Sequence, residues 1–284
     1  MKKFKLGGVP EHFNYPWRKA IEENAFNHLN VSLHWSDMTG GTGQMIKGLE
    51  TGTLDIAVLL TEGITRAILQ GTSAKIVDVY VTSPLQWGVH VPFNSKIDSV
   101  NDLMNPRVAI SRYGSGSHLM AYVLGEALHW DCSALTFNVI GDVYGGIWAL
   151  EQEEADLFLW EKYTTQPFVD KQSCKRIGQV NTPWPCFVVA CRASLMDNDK
   201  AIIQGIIEVV KSVARQIKED VHSAEAIAWR YHLAEPAVAQ WLNETTWNTT
   251  ALNIKAAVHP TVEFLHRASL INDNEIAAWE TKLF

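Results

Sequence analysis

The chain has no apolar run approaching the ~20 residues that a membrane span needs, so no membrane insertion is expected. Neither of its glycine-rich turns is followed by Gly-Lys-Ser/Thr, which excludes a P-loop. Gly41-Thr-Gly43 and Gly114-Ser-Gly116 both lack the third glycine of a dinucleotide fingerprint. There is no Gly-x-Ser-x-Gly elbow and no His-Glu-x-x-His helix. Four cysteines, Cys132, Cys174, Cys186 and Cys191, show no Cys-x-x-Cys spacing and no histidine at zinc-like distance. No metal and no cofactor are therefore expected. Cys186 and Cys191 stand an odd number of residues apart on one apolar run, so as a strand they face opposite sides and read as free buried thiols. An excess of basic charge is also missing: 24 Lys and Arg against 31 Asp and Glu give a net charge of −7. That excludes nucleic acid or an acidic membrane surface as the main partner. The opening Met1-Lys-Lys-Phe-Lys-Leu-Gly-Gly-Val9 has no apolar signal core and no small-residue cleavage site. It reads directly as a first strand. The expected location is the cytoplasm as the chain is written, or the periplasm or a lipid anchor where a signal has been removed.

What is present is the composition of an α/β protein: 284 residues, 47% hydrophobic and 19% charged. The first third alternates strand and helix. Strands are predicted at Phe4–Val9, Val31–Trp35, Leu54–Leu60 and Lys75–Val81, with helices over Trp17–Leu29, from Thr42 through Leu49, and from Thr61 to Leu69. Repeated βα units of this size imply a parallel sheet with helices on its faces. Ser83–Pro92 reads as a strand leaving that sheet. A second βα series follows, with strands at Arg107–Ile110, Leu135–Ile140 and Ala155–Trp160, then another buried strand at Cys186–Cys191. Beyond it the chain is nearly all helix, beginning with the apolar face of Ile202, Ile203, Ile206, Val210, Val213 and Ile217. Two βα series joined by two apolar strands predict two lobes: residues 1–90 with 184–284, and residues 91–183. The ligand is expected in the cleft at the carboxyl ends of the strands.

The most informative stretch is Arg107-Val-Ala-Ile-Ser-Arg-Tyr-Gly-Ser-Gly-Ser-His118, a short apolar strand running through a Gly/Ser turn into a helix. The free N–H groups of a helix's first turn, at the positive end of its dipole, can hold an anion or a ligand carbonyl. Ser115, Gly116 and Ser117 would supply hydroxyl donors and close backbone approach. The plain alternative is that Ser117 is an ordinary N-cap and the glycines only shape the turn. After the other strands come Glu11 and His12, then Thr42 in a second glycine-rich turn, Thr61 with Glu62, and Trp160 with Glu161. Each has a structural alternative: a solvated loop pair at Glu11 and His12, a cap and first-turn acid at Thr61 and Glu62, a core indole at Trp160. No spacing among these groups demands acid–base chemistry, so no catalytic residue is assigned and a binding role is expected ahead of an enzymatic one.

Val9-Pro-Glu-His-Phe13, Leu60-Thr-Glu62, Ser83-Pro-Leu-Gln-Trp87, Ser111-Arg-Tyr-Gly-Ser-Gly-Ser117, Leu159-Trp-Glu161 and Thr182-Pro-Trp184, taken in order, resemble the type II periplasmic-binding-protein superfamily. The resemblance is strongest to the branch of thiamine-precursor (hydroxymethylpyrimidine) and nitrate, sulfonate and taurine substrate-binding proteins, in a signal-less subgroup of fungi and bacteria. It implies a two-lobed α/β fold with a two-strand hinge and helical C-terminal closure. The implied function is that of an ABC-transporter-type substrate-binding protein closing on a small polar, nitrogen-containing ligand. The implied binding residues are Glu11, His12, Thr42, Thr61, Glu62, Ser115, Gly116, Ser117, Trp160 and Glu161. Three carboxylates among them suit a donor-rich or cationic ligand. The implied partners are that ligand and an ABC permease, although transport-coupled members carry an export signal that this sequence does not show. The alternative is a cytoplasmic enzyme of thiamine-precursor or related metabolism, with His12 and a carboxylate moving protons. Fungal thiamine-pyrimidine synthases of this fold use a cysteine-rich iron motif, and the scattered cysteines here do not reproduce it.

Overall fold

β1 (Lys2–Gly8) lies in parallel register between β2 (Val31–Asp37) and β3 (Ile56–Leu60), with Leu6 opposite both Trp35 and Ile56. This is the start of a five-stranded sheet in the computed structural model, which describes residues 1–284. The chain divides into two compact units: Met1–Ser83 with Pro183–Phe284, and Pro84–Thr182.

In unit 1, α1 (Tyr15–Glu22), α2 (Gly41–Thr51) and α3 (Thr61–Leu69) alternate with β1 to β3 and lead to β4 (Ala74–Val81). The first helix ends well short of the predicted Leu29, because Asn24 adopts a left-handed backbone (φ 55°) that an α-helix cannot continue through. The sheet is mixed rather than parallel throughout. Its order is β2-β1-β3-β10-β4, and β10 (Phe187–Arg192) runs antiparallel to both of its neighbours. All four cysteines are free, and Cys186 and Cys191 are buried.

The C-terminal part of unit 1 is helical: α7 (Ala193–Asn198), α8 (Lys200–Glu219), α9 (Ser223–Tyr231), α10 (Glu235–Glu244), α11 (Ile254–Arg267), α12 (Asp273–Ala277) and α13 (Trp279–Leu283). On α8, Ile203, Ile206, Ile207, Val210, Val213 and Ile217 are all buried at helical spacing. Each such side chain contributes roughly 1.5–3 kcal/mol relative to exposure, which makes this face a principal anchor of the helical region.

Unit 2 begins with β5 (Gln86–Pro92), hydrogen-bonded along its length to β8 (Leu157–Glu161) and β9 (Cys174–Asn181). That pairing puts the dividing point between Ser83 and Pro84, earlier than the residue 90 read from the sequence. β6 (Arg107–Ile110), α4 (Gly116–Ala127), β7 (Thr136–Val139), α5 (Val143–Glu151) and α6 (Lys162–Asp170) complete the unit. Its sheet is also mixed, in the order β7-β6-β8-β5-β9. No helix is long and apolar enough to cross a membrane.

Candidate functional site

In unit 1, three sequence candidates meet where β3 passes into α3. Thr61 is fully buried; its N–H donates to the Cys186 carbonyl (3.1 Å) and its hydroxyl to the Pro185 carbonyl (2.5 Å), tying α3 to the start of β10. Thr42, in the first turn of α2, accepts the Leu60 N–H at 3.4 Å. A Cβ at Gly63 would stand 2.5 Å from the Thr42 methyl, so only glycine lets α2 approach α3 this closely. Between them Glu62 is 0% exposed. Its Oε2 accepts the Trp184 indole N–H at 3.0 Å, while Oε1 has no hydrogen-bond partner. Burial pushes the Glu62 carboxyl up to about 7, against the lowering effect of backbone and Trp184 donors.

His12 has a different setting. The turn Val9–Asn14 is closed by Glu11 N–H to Val9 O (2.8 Å) and Asn14 N–H to Glu11 O (3.0 Å). The turn leads the imidazole into an aromatic cluster, 4.2 Å from the Trp241 ring, 5.1 Å from Phe13 and 6.2 Å from Tyr231. Burial lowers its pKa to about 3, so the ring is neutral throughout the physiological range. That does not suit the proton transfer considered for it from sequence. Glu11 is half-buried in the turn ahead of it.

In unit 2 the Ser111–Ser117 loop is built by its own hydroxyls. Ser117 Oγ accepts the Ser111 N–H (3.0 Å) and lies 3.0 Å from Ser115 Oγ, which accepts the His118 N–H (3.3 Å). Ser115, not Ser117, is therefore the N-cap of α4. Gly114 has φ +76°, a left-handed conformation that glycine takes without strain, and its N–H donates to His118 Nδ1 (3.0 Å). The N–H groups of Gly116 and Ser117 find no acceptor in the chain. Two residues before the turn glycine stands Arg112, a half-buried guanidinium with no carboxylate or carbonyl partner. Burial lowers its pKa, the sign of a cation partly desolvated and uncompensated.

Arg112 falls inside the Ser111–His118 stretch but is not among the binding residues expected from sequence, which in that stretch are the Gly/Ser donors of the turn. No Asp or Glu lies between Asp102 and Glu126, but Arg107 in the same stretch pairs with the distant Asp156, so it is the fold that leaves Arg112 without a counter-ion.

The last pair separates. Trp160 packs at 5.4 Å from the Phe158 ring, against the core formed by Ala109, Ile147, Leu150 and Cys174. Glu161 is the N-cap of α6: Oε1 accepts the Tyr163 N–H (3.1 Å), and Oε2 accepts the Thr164 N–H (2.7 Å) and hydroxyl (2.8 Å). Its carboxyl is raised by burial and lowered by these donors. Opposite it in the ladder is Trp87, 5% exposed, whose indole N–H has no partner.

A family model described as Ca3427-like PBP (periplasmic binding protein) matches residues 87–180, within unit 2. A Candida albicans protein, CA3427, described as defining a family with the generic periplasmic-binding-protein fold, superposes with a TM-score of 0.91. It is 25% identical, over 100% of this chain and 96% of that one. The chain thus has the periplasmic-binding-protein fold, and its unit 2 is similar to the Ca3427-like family. The same superfamily fold is seen in the alkanesulfonate-binding protein SsuA of Xanthomonas axonopodis pv. citri bound to MOPS, at 14% identity, TM-score 0.79 and 98% coverage of both chains. The nitrate-binding protein NrtA of Synechocystis PCC 6803 matches at 12% identity and TM-score 0.75, over 99% of this chain and 86% of its own. A sequence comparison with curated proteins gives no match.

Proposed function

We propose that this protein is a solute-binding protein for a small polar molecule carrying an oxyanion, which unit 2 binds. The observation that carries this reading is the half-buried, unpaired Arg112 guanidinium in the loop that leads to the unengaged N–H groups of Gly116 and Ser117. All are donors without an acceptor in the chain, the electrostatic complement of a sulfonate, phosphonate or carboxylate. Within unit 1, Glu62 Oε1 is a buried acceptor without a donor. Thr42 and Thr61 hold it in place, and Ser115 and Ser117 shape the loop. Glu11 and His12 stand in the Val9–Asn14 turn of unit 1, and Trp160 and Glu161 support unit 2 rather than contact the solute. Relatives of this fold described as alkanesulfonate-binding and nitrate-binding support the oxyanion class. One described as the ligand-binding component of an ABC-type import system supports a permease as the partner to test. Four free thiols suit a reducing compartment.

The experiment is a thermal-shift screen of the purified chain against MOPS, taurine, methylphosphonate, nitrate and the amine-only control ethanolamine, with recovery of each hit. A ligand at 100 times its Kd adds about 2.7 kcal/mol. The reading expects stabilisation by the oxyanions, with the hit recovered unchanged. Stabilisation by ethanolamine alone, or consumption of the hit, overturns it.

A further inference from the structure

A separate cavity of about 420 Å³ lies within unit 1, and none of Thr42, Thr61 or Glu62 lines it. Its lining includes Arg18 of α1, Trp35 and Asp37 at the end of β2, and Trp229 and Tyr231 in the last turn of α9. The volume falls in the ordinary range of small-molecule sites. Three features define what it would take.

The lining is aromatic. Trp229 is 82% exposed, which leaves its indole open to a ligand. Trp35 and Tyr231 add two more rings. The charges are internally balanced. Arg230, also in the lining, is held by Glu22 through two bonds of 2.6 and 3.0 Å. Arg18 lies over the Trp35 ring (5.5 Å) and 3.4 Å from Asp37 Oδ1. One acceptor is left open: Asp37 Oδ1 takes the Trp35 indole N–H at 2.7 Å, and no side chain or backbone donor reaches Oδ2. Rings without net charge select a flat, uncharged molecule, and a lone carboxylate oxygen selects one with N–H groups on its edge.

We propose that this cavity is a second binding site, for an uncharged planar nitrogen heterocycle of nucleobase size that stacks on the aromatic rings and donates an edge N–H to Asp37 Oδ2. Its lining holds none of the unit 2 residues assigned to the oxyanion, so the adenine and MOPS tests can fail separately.

The test uses the full chain and adenine as the probe, by ligand-observed NMR and isothermal titration. Benzoate and tryptamine serve as anionic and cationic ring controls. Saturable adenine binding is expected, weakened at least tenfold in Trp229→Ala and several-fold in Asp37→Asn. Both substitutions are at exposed side chains and should leave the melting temperature nearly unchanged. MOPS titration of Trp229→Ala should match the wild type. No saturable adenine binding at millimolar concentration, undiminished binding in Trp229→Ala, or tighter binding of either charged ring overturns the proposal.

Discussion

The Trp184 indole donates its N–H to Glu62 Oε2 at 3.0 Å, joining the second residue after the chain returns to unit 1 to the first turn of α3. The same carboxyl is fully buried, and its other oxygen is unpartnered. Burying a carboxylate with one hydrogen bond favours its neutral form, which is why Glu62 titrates at about 7 rather than at 4.5.

The sign of the stability effect follows. Below pH 4.5 both folded and unfolded chains hold this proton; between 4.5 and 7 only the folded chain holds it. Stability from Glu62 is therefore present at low pH and lost as pH rises to about 7, by about 3 kcal/mol at roughly 1.4 kcal/mol per pH unit. Glu62→Gln keeps an acceptor for Trp184 and cannot ionise. Its urea midpoint should fall less than the wild type's between pH 4.5 and 7; parallel profiles would show that Glu62 ionises freely.

Two histidines act in the opposite direction. Burial lowers His12 to about 3 and His90 to about 4, so their neutral forms stabilise the fold above pH 6.5 and that stability is lost on acidification. His12 alone should remove roughly 2 kcal/mol between pH 6.5 and 5. His12→Gln should be less stable than the wild type at pH 7 but show a flatter decline. An unchanged slope would mean the imidazole is reached by solvent protons.

Ser115 should act on stability and binding together. Ser115→Ala removes the α4 cap, at about 1 kcal/mol, and one of the contacts that fixes Ser117. A drop in melting temperature accompanied by weaker oxyanion binding is expected. Loss of stability with intact affinity would separate the cap from the site.

The βα order of unit 1 was legible because Leu54–Leu60 is apolar at almost every position and each strand is followed by a helix-opening residue. β9 was not, because Cys174–Asn181 alternates neither charge nor hydropathy; it is held by its pairing to β5, a long-range contact that no local pattern records. Among the candidate residues, the placement of Ser115–Ser117 and Thr61–Glu62 directly after a strand was legible. The division of labour at Trp160 and Glu161 was not. Their neighbours on α5 and α6, distant in any sequence window, decide that one packs in the core and the other caps a helix. Arg112 was visible as a letter, but its lack of a counter-ion is a property of the fold.

Arg112 gives the most direct test of the oxyanion reading. The guanidinium is half-buried and has no partner within the chain, so Arg112→Ala should leave stability unchanged or slightly raised. Isothermal titration of wild type and Arg112→Ala with MOPS, at equal ionic strength, should show 1:1 binding in the wild type. In the variant it should be weakened at least tenfold, the loss of a charge-assisted contact of about 1.5–3 kcal/mol. Equal affinity in the two proteins, or tighter binding in the variant, would contradict the assignment of Arg112 and the α4 amides to the solute's oxyanion.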